Sequence, residues 1–351
     1  MSSHEDPTNS QNGLRARKDE HLEVVAANDV ASITDSGWKE IRLPHRAAPE
    51  MNLDEVRIDT EFLGQRLRAP LLISSMTGGT PSGETLNRRL AVFAERRGFA
   101  MGVGSQRVQL GSGDDALFAL RRAAPRAVLY SNLGLVQLNY GKSVDDCRRI
   151  VDRLEANALI LHLNPLQEAI QLEGDRDFAG LWKKATELRR ELRIPLILKE
   201  VGCGLDADTC RRAREVGFDA VDVAGLGGTH WGYIEGLRSP SRRRLGELFR
   251  DWGIPTREAL HDARAVLPRD YPVIASGGIR DGLEAAKAIY AGADLVGLAA
   301  PFLRAAHSEE SLEAFGDEIT ETLRIAHFAT GCRTPRDLRE LGPSESKREV
   351  K

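Results

Sequence analysis

The feature that most constrains this chain is a series of short apolar runs, each ending in small or polar residues. Leu71-Leu72-Ile73 runs into Ser74-Ser75-Met76-Thr77-Gly78-Gly79, and Val128-Leu129-Tyr130 into Ser131-Asn132. Leu159-Ile160-Leu161 leads to His162-Leu163-Asn164, Leu196-Ile197-Leu198 stops at Lys199, and Val273-Ile274-Ala275 stops at Ser276-Gly277-Gly278. A run that is apolar at every position reads as a strand buried on both faces, as in a parallel sheet covered by helices. Helical spacings such as Leu86, Leu90, Phe93 lie between the runs, so the chain alternates as βαβ units. Eight strands are predicted, near 70–76, 99–104, 128–132, 158–163, 195–200, 219–224, 272–276 and 294–299. The fold class is therefore α/β, a (β/α)8 TIM barrel whose polar strand ends converge on one mouth.

The chain has 351 residues, and a barrel of this kind takes about 250, which leaves room for extensions. The expected organisation is a disordered tail over 1–16, an N-terminal cap over 17–69, the barrel over 70–330 and a C-terminal tail over 331–351. Residues 225–254 read as a long Gly- and Arg-rich loop after strand six; Arg238–Arg244 is a basic patch, within which Arg242–Arg244 is solvated or lies on a mobile loop. The formal charge of −3 gives no bulk attraction to nucleic acid. No apolar run approaches the roughly 18 residues that span a bilayer, and residues 1–13 lack the apolar core of a signal peptide. Four cysteines without a Cys-x-x-Cys pair fit reduced thiols in a cytoplasmic protein.

Several strand ends carry groups that do chemistry. Ser276-Gly277-Gly278-Ile279-Arg280 and Gly297-Leu298-Ala299-Ala300 follow strands seven and eight, where barrels of this kind often bind phosphate. The bland alternative is a tight turn that needs glycine. Ser75, Met76 and Thr77 suit the edge of a planar heterocycle, and Ser105, Gln106, Arg107 and Asn132 add hydrogen-bonding groups at the same mouth. Singly, each also reads as a cap or turn residue. Lys199 ends an apolar run, where an ammonium needs an anion, either a cofactor charge or simply Glu200; a Schiff-base lysine, as in an aldolase-like barrel, is the competing role. His162 and Asn164 share one side of strand four, and Gln167-Glu168 begin the following loop. Glu168 suits Mg²⁺ held against a phosphate, or is a helix-start acid favoured by the dipole. Arg17-Lys18-Asp19-Glu20-His21 reads as a charged, solvated cluster, and Thr229 sits in the loop after strand six.

Together these motifs make the chain resemble the type 2 isopentenyl-diphosphate isomerases, the flavin-dependent isomerases of isoprenoid synthesis. The resemblance spans Arg17 to about Ala329. It rests on Arg17-Lys18-x-Glu20-His21, Ser75–Gly79, Gly104–Arg107, His162-x-Asn164-x-x-Gln167-Glu168, Lys199–Gly202, Gly227-Gly228-Thr229 and Ser276–Arg280. It implies FMN contacted by Ser75, Met76, Thr77, Ser105, Asn132, Lys199 and Thr229, with Gly278, Ile279, Arg280, Ala299 and Ala300 around its phosphate. It implies substrate held by Arg17, Lys18, Ser105, Gln106, Arg107 and Gln167, and Mg²⁺ on Glu168, with Gln167, His162 and Asn164 at the reacting carbons. It further implies NADPH as reductant, a homotetramer or homo-octamer, and isopentenyl and dimethylallyl diphosphate as the ligands. His230 and the Arg238–Arg244 stretch depart from the pattern and leave the loop-six contacts open. No acid–base pair stands out for moving a double bond, so reduced FMN is the expected acid–base catalyst, with no net redox change. Two alternatives remain: an FMN-dependent 2-hydroxy-acid oxidase, and a non-catalytic flavin- or phosphate-binding barrel.

Overall fold

Eight parallel strands close on themselves in the computed structural model, which describes residues 7–111 and 115–343. They are preceded by an antiparallel hairpin, β1 (Thr60–Phe62) and β2 (Gln65–Leu67). The barrel comprises β3 (Leu71–Ile73), β4 (Ala100–Gly102), β5 (Val128–Gly134), β6 (Ala158–Leu163), β7 (Leu196–Glu200), β8 (Ala220–Asp222), β9 (Val273–Ser276) and β10 (Leu295–Leu298). Each of the eight predicted strands is present. Closure runs through β10 and β3, where Val296 faces Leu71 in register.

Period-two alternation sorts each strand into outward and inward residues. The outward set packs under the surrounding helices in one continuous core. The inward set forms a second cluster: Leu72, Ala100, Tyr130, Ile160, Ile197, Ala220, Ile274 and Leu295 fill the barrel axis. Phe62 and Leu67 join that inner cluster, so the hairpin plugs the amino-terminal end of the barrel. Its two-residue turn, Leu63 (φ 49°) and Gly64 (φ 74°), has the left-handed geometry that tight hairpins need.

The hairpin changes the reading of 17–69 as one cap. Residues 60–67 close the end opposite the mouth. Residues 38–57 lie against the outer helices, with Lys287 Nζ donating to Trp38 O at 3.0 Å and Arg46 N to Ala329 O at 2.8 Å. Only the part up to about Gly37 lies over the mouth. Nor is 1–16 a disordered tail from end to end: a helix covers Pro7–Ala27, while residues 1–6 lie outside the described residues. Its cavity-facing residues Lys18, His21, Leu22 and Val25 follow i, i+3, i+4, i+7 spacing. Polar residues hold two of those four places, which hides the stripe from a hydrophobic reading.

Two further differences have equally local causes. The loop expected over 225–254 carries helices Trp231–Arg238 and Arg243–Leu248. They touch backbone to backbone: a Cβ on Gly236 would stand 2.6 Å from Gly246 Cα. Those glycines let the helices meet; they do not unwind them. The expected C-terminal tail includes helix Pro335–Leu341, started by a Thr334–Asp337 capping box and anchored by buried Leu338; residues 344–351 lie outside the described residues.

At the β9 end, Gly277 has φ 105°, and a Cβ there would lie 2.2 Å from Gly225 O. Gly277→Ala therefore combines backbone strain with an overlap against main chain that cannot give way. We expect a loss of roughly 3 kcal/mol or more, read as the shift in a urea unfolding midpoint. A loss below 1 kcal/mol would show that the turn relaxes.

Candidate active site

Two residues beyond the apolar inner layer, the inward positions become Ser74, Gly102, Asn132, His162, Lys199, Asp222, Ser276 and Gly297. The strand ends thus replace hydrocarbon with polar or absent side chains at a single level. Above it opens a cavity of about 1250 Å³. Pockets of about 300–1,000 Å³ take one drug-sized ligand, so this one has room for a cofactor and a small substrate together.

Its wall brings together almost every residue predicted from sequence: Arg17, Lys18, Ser75, Met76, Thr77, Ser105, Arg107, Asn132, His162, Asn164, Gln167, Glu168, Lys199, Thr229, Gly278, Ile279, Arg280, Ala299 and Ala300. Gln106 is the exception. It is 1 % exposed and stands behind the wall, where its Oε1 accepts from Asn132 N at 3.0 Å. Its sequence neighbours face the cavity, and the start of the helix at Arg107 turns Gln106 inward.

The roof is the N-terminal helix. Lys18 Nζ donates to Gly78 O at 2.5 Å and to Ser105 O at 2.7 Å, the loops after β3 and β4. Burial, and then the nearby charge of Arg17, lowers the Lys18 pKa to about 7. The cluster read as solvated is therefore partly interior. Its second anchor is Glu235, whose carboxylate accepts from His21 Nε2 at 2.8 Å, Gln167 Nε2 at 2.9 Å and Arg238 at 2.5 Å. Burial pushes the Glu235 pKa up, but the His21 and Gln167 hydrogen bonds and the Arg238 charge outweigh it and hold it at about 2. Arg238, the first residue of the basic patch, also pairs with Glu20 at 2.8 Å, so it clamps two elements together. Arg243 and Arg244 are exposed, as predicted. His230 is buried and caps the helix that follows it, Nδ1 accepting from Tyr233 N at 3.0 Å. Segment 30–32 stitches to loop six through Ser32 N–Gly228 O and His230 N–Val30 O, both 2.9 Å or less.

On the floor, His162 Nδ1 lies 2.7 Å from Asn132 Oδ1. An amide oxygen accepts, so Nδ1 carries the proton and Nε2 keeps its lone pair. Burial, followed by the charges of Lys199 and Lys18, lowers the His162 pKa to about 4. The imidazole is neutral at physiological pH. Because the unfolded chain takes up its proton first, near pH 6.5, this group makes folding less favourable as pH falls from about 6.5 through 4. The urea midpoint is expected to be lower at pH 5 than at pH 7, and His162→Gln to reduce that difference. An undiminished difference in the variant would assign the effect elsewhere.

Lys199 pairs with Asp222 at 3.2 Å, not with Glu200. The Glu200 carboxylate instead accepts the N–H groups of Val201 and Gly202, each at 2.6 Å, and so shapes the loop after β7. Glu168 lies on helix Pro165–Ile170 and not in a loop. It accepts from Asn164 Nδ2 at 2.8 Å and Asp175 N at 2.7 Å, while burial pushes its pKa upward against those bonds. Asp175 in turn accepts from Gln137 Nε2 at 2.9 Å and pairs with Arg107. Arg280 donates to Gly227 O at 3.2 Å and reaches Glu284 at 3.5 Å, beside the Gly278 turn. Asp175, Asp222 and Glu235 were not singled out in the sequence. Each is one acid among 52 Asp and Glu residues, and the cavity residues it holds lie 23 to 214 residues away.

The walls fit FMN. Ser74 Oγ and Ser75 Oγ are buried without a hydrogen-bond partner among the described residues, at the rim where a flavin edge would lie. Lys199 is below, and the backbone of Gly278 with the start of helix Ala300–Ala305 closes the phosphate end. A divalent ion would find one carboxylate, Glu168, and the unpartnered Asn164 Oδ1. Among the described residues no group of three or more His, Cys, Asp or Glu converges. That sparse oxygen set fits an ion taking its remaining ligands from a diphosphate.

Fold and site together define a flavin-binding (β/α)8 enzyme, and residues 139–342 match the profile of the FMN-dependent dehydrogenases. The barrel is shared with solved structures of a flavocytochrome b2 (TM-score 0.69, 19 % identity, 95 % of this chain and 85 % of that one) and a mandelate oxidase (0.66, 17 %, 92 % and 94 %). At such identity the likeness concerns the fold alone. Closer in sequence are proteins named isopentenyl-diphosphate delta-isomerase: that of a Synechococcus strain is 50 % identical over 92 % of this chain and 94 % of its own length. The Stutzerimonas stutzeri protein is 47 % identical (94 % and 97 %), and the Nostoc protein 45 % (96 % and 97 %). The chain belongs to the isopentenyl-diphosphate delta-isomerase family, in its FMN-dependent form.

Proposed function

We propose that this enzyme interconverts isopentenyl and dimethylallyl diphosphate in a cavity shared by reduced FMN, the substrate and Mg²⁺. The observation that carries the reading is the placement of charge. Arg17 and Lys18 hang from the roof, Arg107 stands on the wall, and the floor beneath holds a neutral imidazole and Lys199, whose charge Asp222 offsets. A diphosphate is drawn to the cationic roof, which leaves its hydrocarbon end over the floor. A 2-hydroxy-acid oxidase instead needs an active-site base and cations for a carboxylate beside the reacting carbon, and here the added cations belong to the N-terminal helix.

In this arrangement Arg17, Lys18, Ser105, Arg107 and Gln167 hold the diphosphate, and Glu168 holds Mg²⁺ against it. Gln106 acts behind them by fixing Asn132. The N-terminal helix excludes water from the carbocation-like stage of the reaction. His162 and Asn164 line the reacting end, and Gln167, fixed by Glu235, keeps its amide oriented towards it. Ser75, Met76, Thr77, Asn132 and Thr229 hold the ring system, with Gly278, Ile279, Arg280, Ala299 and Ala300 at the phosphate. Lys199 stands under the ring edge, where it favours a negative charge. When bound, reduced FMN supplies the proton donor and acceptor that the side chains lack. The reading extends to NADPH as reductant, a cytoplasmic location and a homotetramer or homo-octamer, the last checked by light scattering. Among the described residues no helix is long and apolar enough to cross a membrane.

The test is anaerobic incubation of the purified protein with FMN, Mg²⁺, NADPH and isopentenyl diphosphate, followed by NMR. Dimethylallyl diphosphate should appear without stoichiometric NADPH consumption. Flavin reduction by lactate or glycolate, with no isomerisation, would make it an oxidase. Tight FMN binding with neither reaction would make it a sensor or scaffold.

A further inference from the structure

The polar ring beneath the cavity contains one carboxylate, Asp222, and it does not reach the cavity wall. Asp222 is fully buried on β8. It faces Lys199 across the β7–β8 pair, the two residues being directly opposite in register. One carboxylate oxygen lies 3.2 Å from Lys199 Nζ, and the other accepts from Ser276 Oγ at 2.7 Å. Lys199 Nζ also donates to Glu200 O at 2.9 Å and approaches Ser276 Oγ at 3.4 Å. These contacts hold one ammonium from three directions and leave its remaining side towards the cavity.

An ion pair this deep costs desolvation on both partners and is often replaceable by hydrocarbon without loss of stability. Stability alone therefore gives little reason for a Lys–Asp–Ser triad at this level of the barrel. A charge pair beside a redox-active ring does have a consequence. Reduction adds negative charge to the ring, so a fixed cation favours the reduced form and a fixed anion opposes it. The pair supplies both, with the cation nearer the cavity.

We propose that Asp222 is a positioning residue for the cofactor: it fixes Lys199 Nζ beneath the isoalloxazine edge and, by sharing its charge, sets how strongly reduced FMN is preferred over oxidised FMN. Ser276 holds the carboxylate in place. The inference rests on FMN occupying the cavity above Lys199.

The test is the midpoint potential of bound FMN, measured in anaerobic dye-coupled titrations of the holoenzyme and of Asp222→Asn, Lys199→Met and the double variant. Asp222→Asn should raise the preference for reduced FMN at least tenfold, about 30 mV for a two-electron couple, because an anion is removed and Lys199 turns to the ring. On the Lys199→Met background the same substitution should shift it by a clearly smaller factor, since only the direct effect of the removed anion remains there. Equal shifts in both backgrounds, or none in the single variant, would overturn the proposal. Should Asp222→Asn fail to fold, the charge-neutral double variant decides: it should melt above Lys199→Met, which strands a buried anion, and a lower melting temperature would reject the pairing. Flavin fluorescence quenching on mixing apoprotein with FMN separates the two readings. No uptake by the wild type removes the cofactor reading and this inference with it, whereas uptake with an unmoved potential removes only the inference.

Discussion

Replacing Lys18 with Met is expected to lower kcat/KM for isopentenyl diphosphate by roughly 10²–10³-fold. Lys18 reaches the loops after β3 and β4 at once, with Nζ 2.5 Å from Gly78 O and 2.7 Å from Ser105 O. The substitution would remove a charge from the diphosphate end and cut the tie between roof and wall. Losing one partner of a buried charged contact costs roughly 3–5 kcal/mol, and each 1.36 kcal/mol is a decade in rate. Hydrogen exchange in residues 17–27 should quicken in the variant. The Lys18 pKa, lowered to about 7 by burial, adds a second signature. A diphosphate beside the group raises that pKa, so substrate binding near pH 8 should take up a proton, and binding at pH 6, where Lys18 is already charged, should not. Calorimetry in buffers of different ionisation enthalpy reads this directly. A kcat/KM within threefold of wild type, or no proton uptake at pH 8, would remove Lys18 from the binding site.

The second large effect is expected at Glu168. Glu168→Gln keeps the shape and the Asp175 N–H bond but removes the charge, and the Mg²⁺ concentration needed for half-maximal rate should rise about 100-fold. Mutating even an outer-shell partner of a metal ligand typically costs roughly 10–100-fold in metal affinity or activity, and Glu168 would be a direct ligand. Glu168 is the upper case because among the described residues no cluster of acids stands ready to replace it. FMN uptake should persist, since Glu168 lies on helix Pro165–Ile170, away from the Gly278 and Ala299 turns. Unchanged metal dependence would show that the ion is bound by substrate alone, or not at all.

Both residues sit in motifs legible in the sequence, but their settings were not. The Arg17–His21 cluster has the composition of a solvated face, and only contact with Gly78, Ser105 and Glu235 makes part of it interior. Glu168 is a helix-start acid, as its spacing allowed, but the unpartnered Asn164 Oδ1 beside it could not be read from the sequence. Gln106 shows the reverse. Its neighbours Ser105 and Arg107 line the cavity, yet Gln106 serves Asn132 from behind, because the chain turns into a helix there.

What the sequence determined by itself was local and periodic. Alternation of two in the strands and of three to four in the helices is a property of neighbouring residues, so all eight barrel strands and the polar crown at their ends could be read from it. Tertiary structure alone decided which distant charges meet. Lys199 chose Asp222 over the adjacent Glu200, because side chains on paired strands face each other across the barrel while successive residues on one strand point apart. It decided likewise that the hairpin at 60–67 plugs the barrel floor and that Glu235 joins His21 to Gln167. Such contacts are set by how helices and strands pack in three dimensions, and no spacing along the chain encodes them.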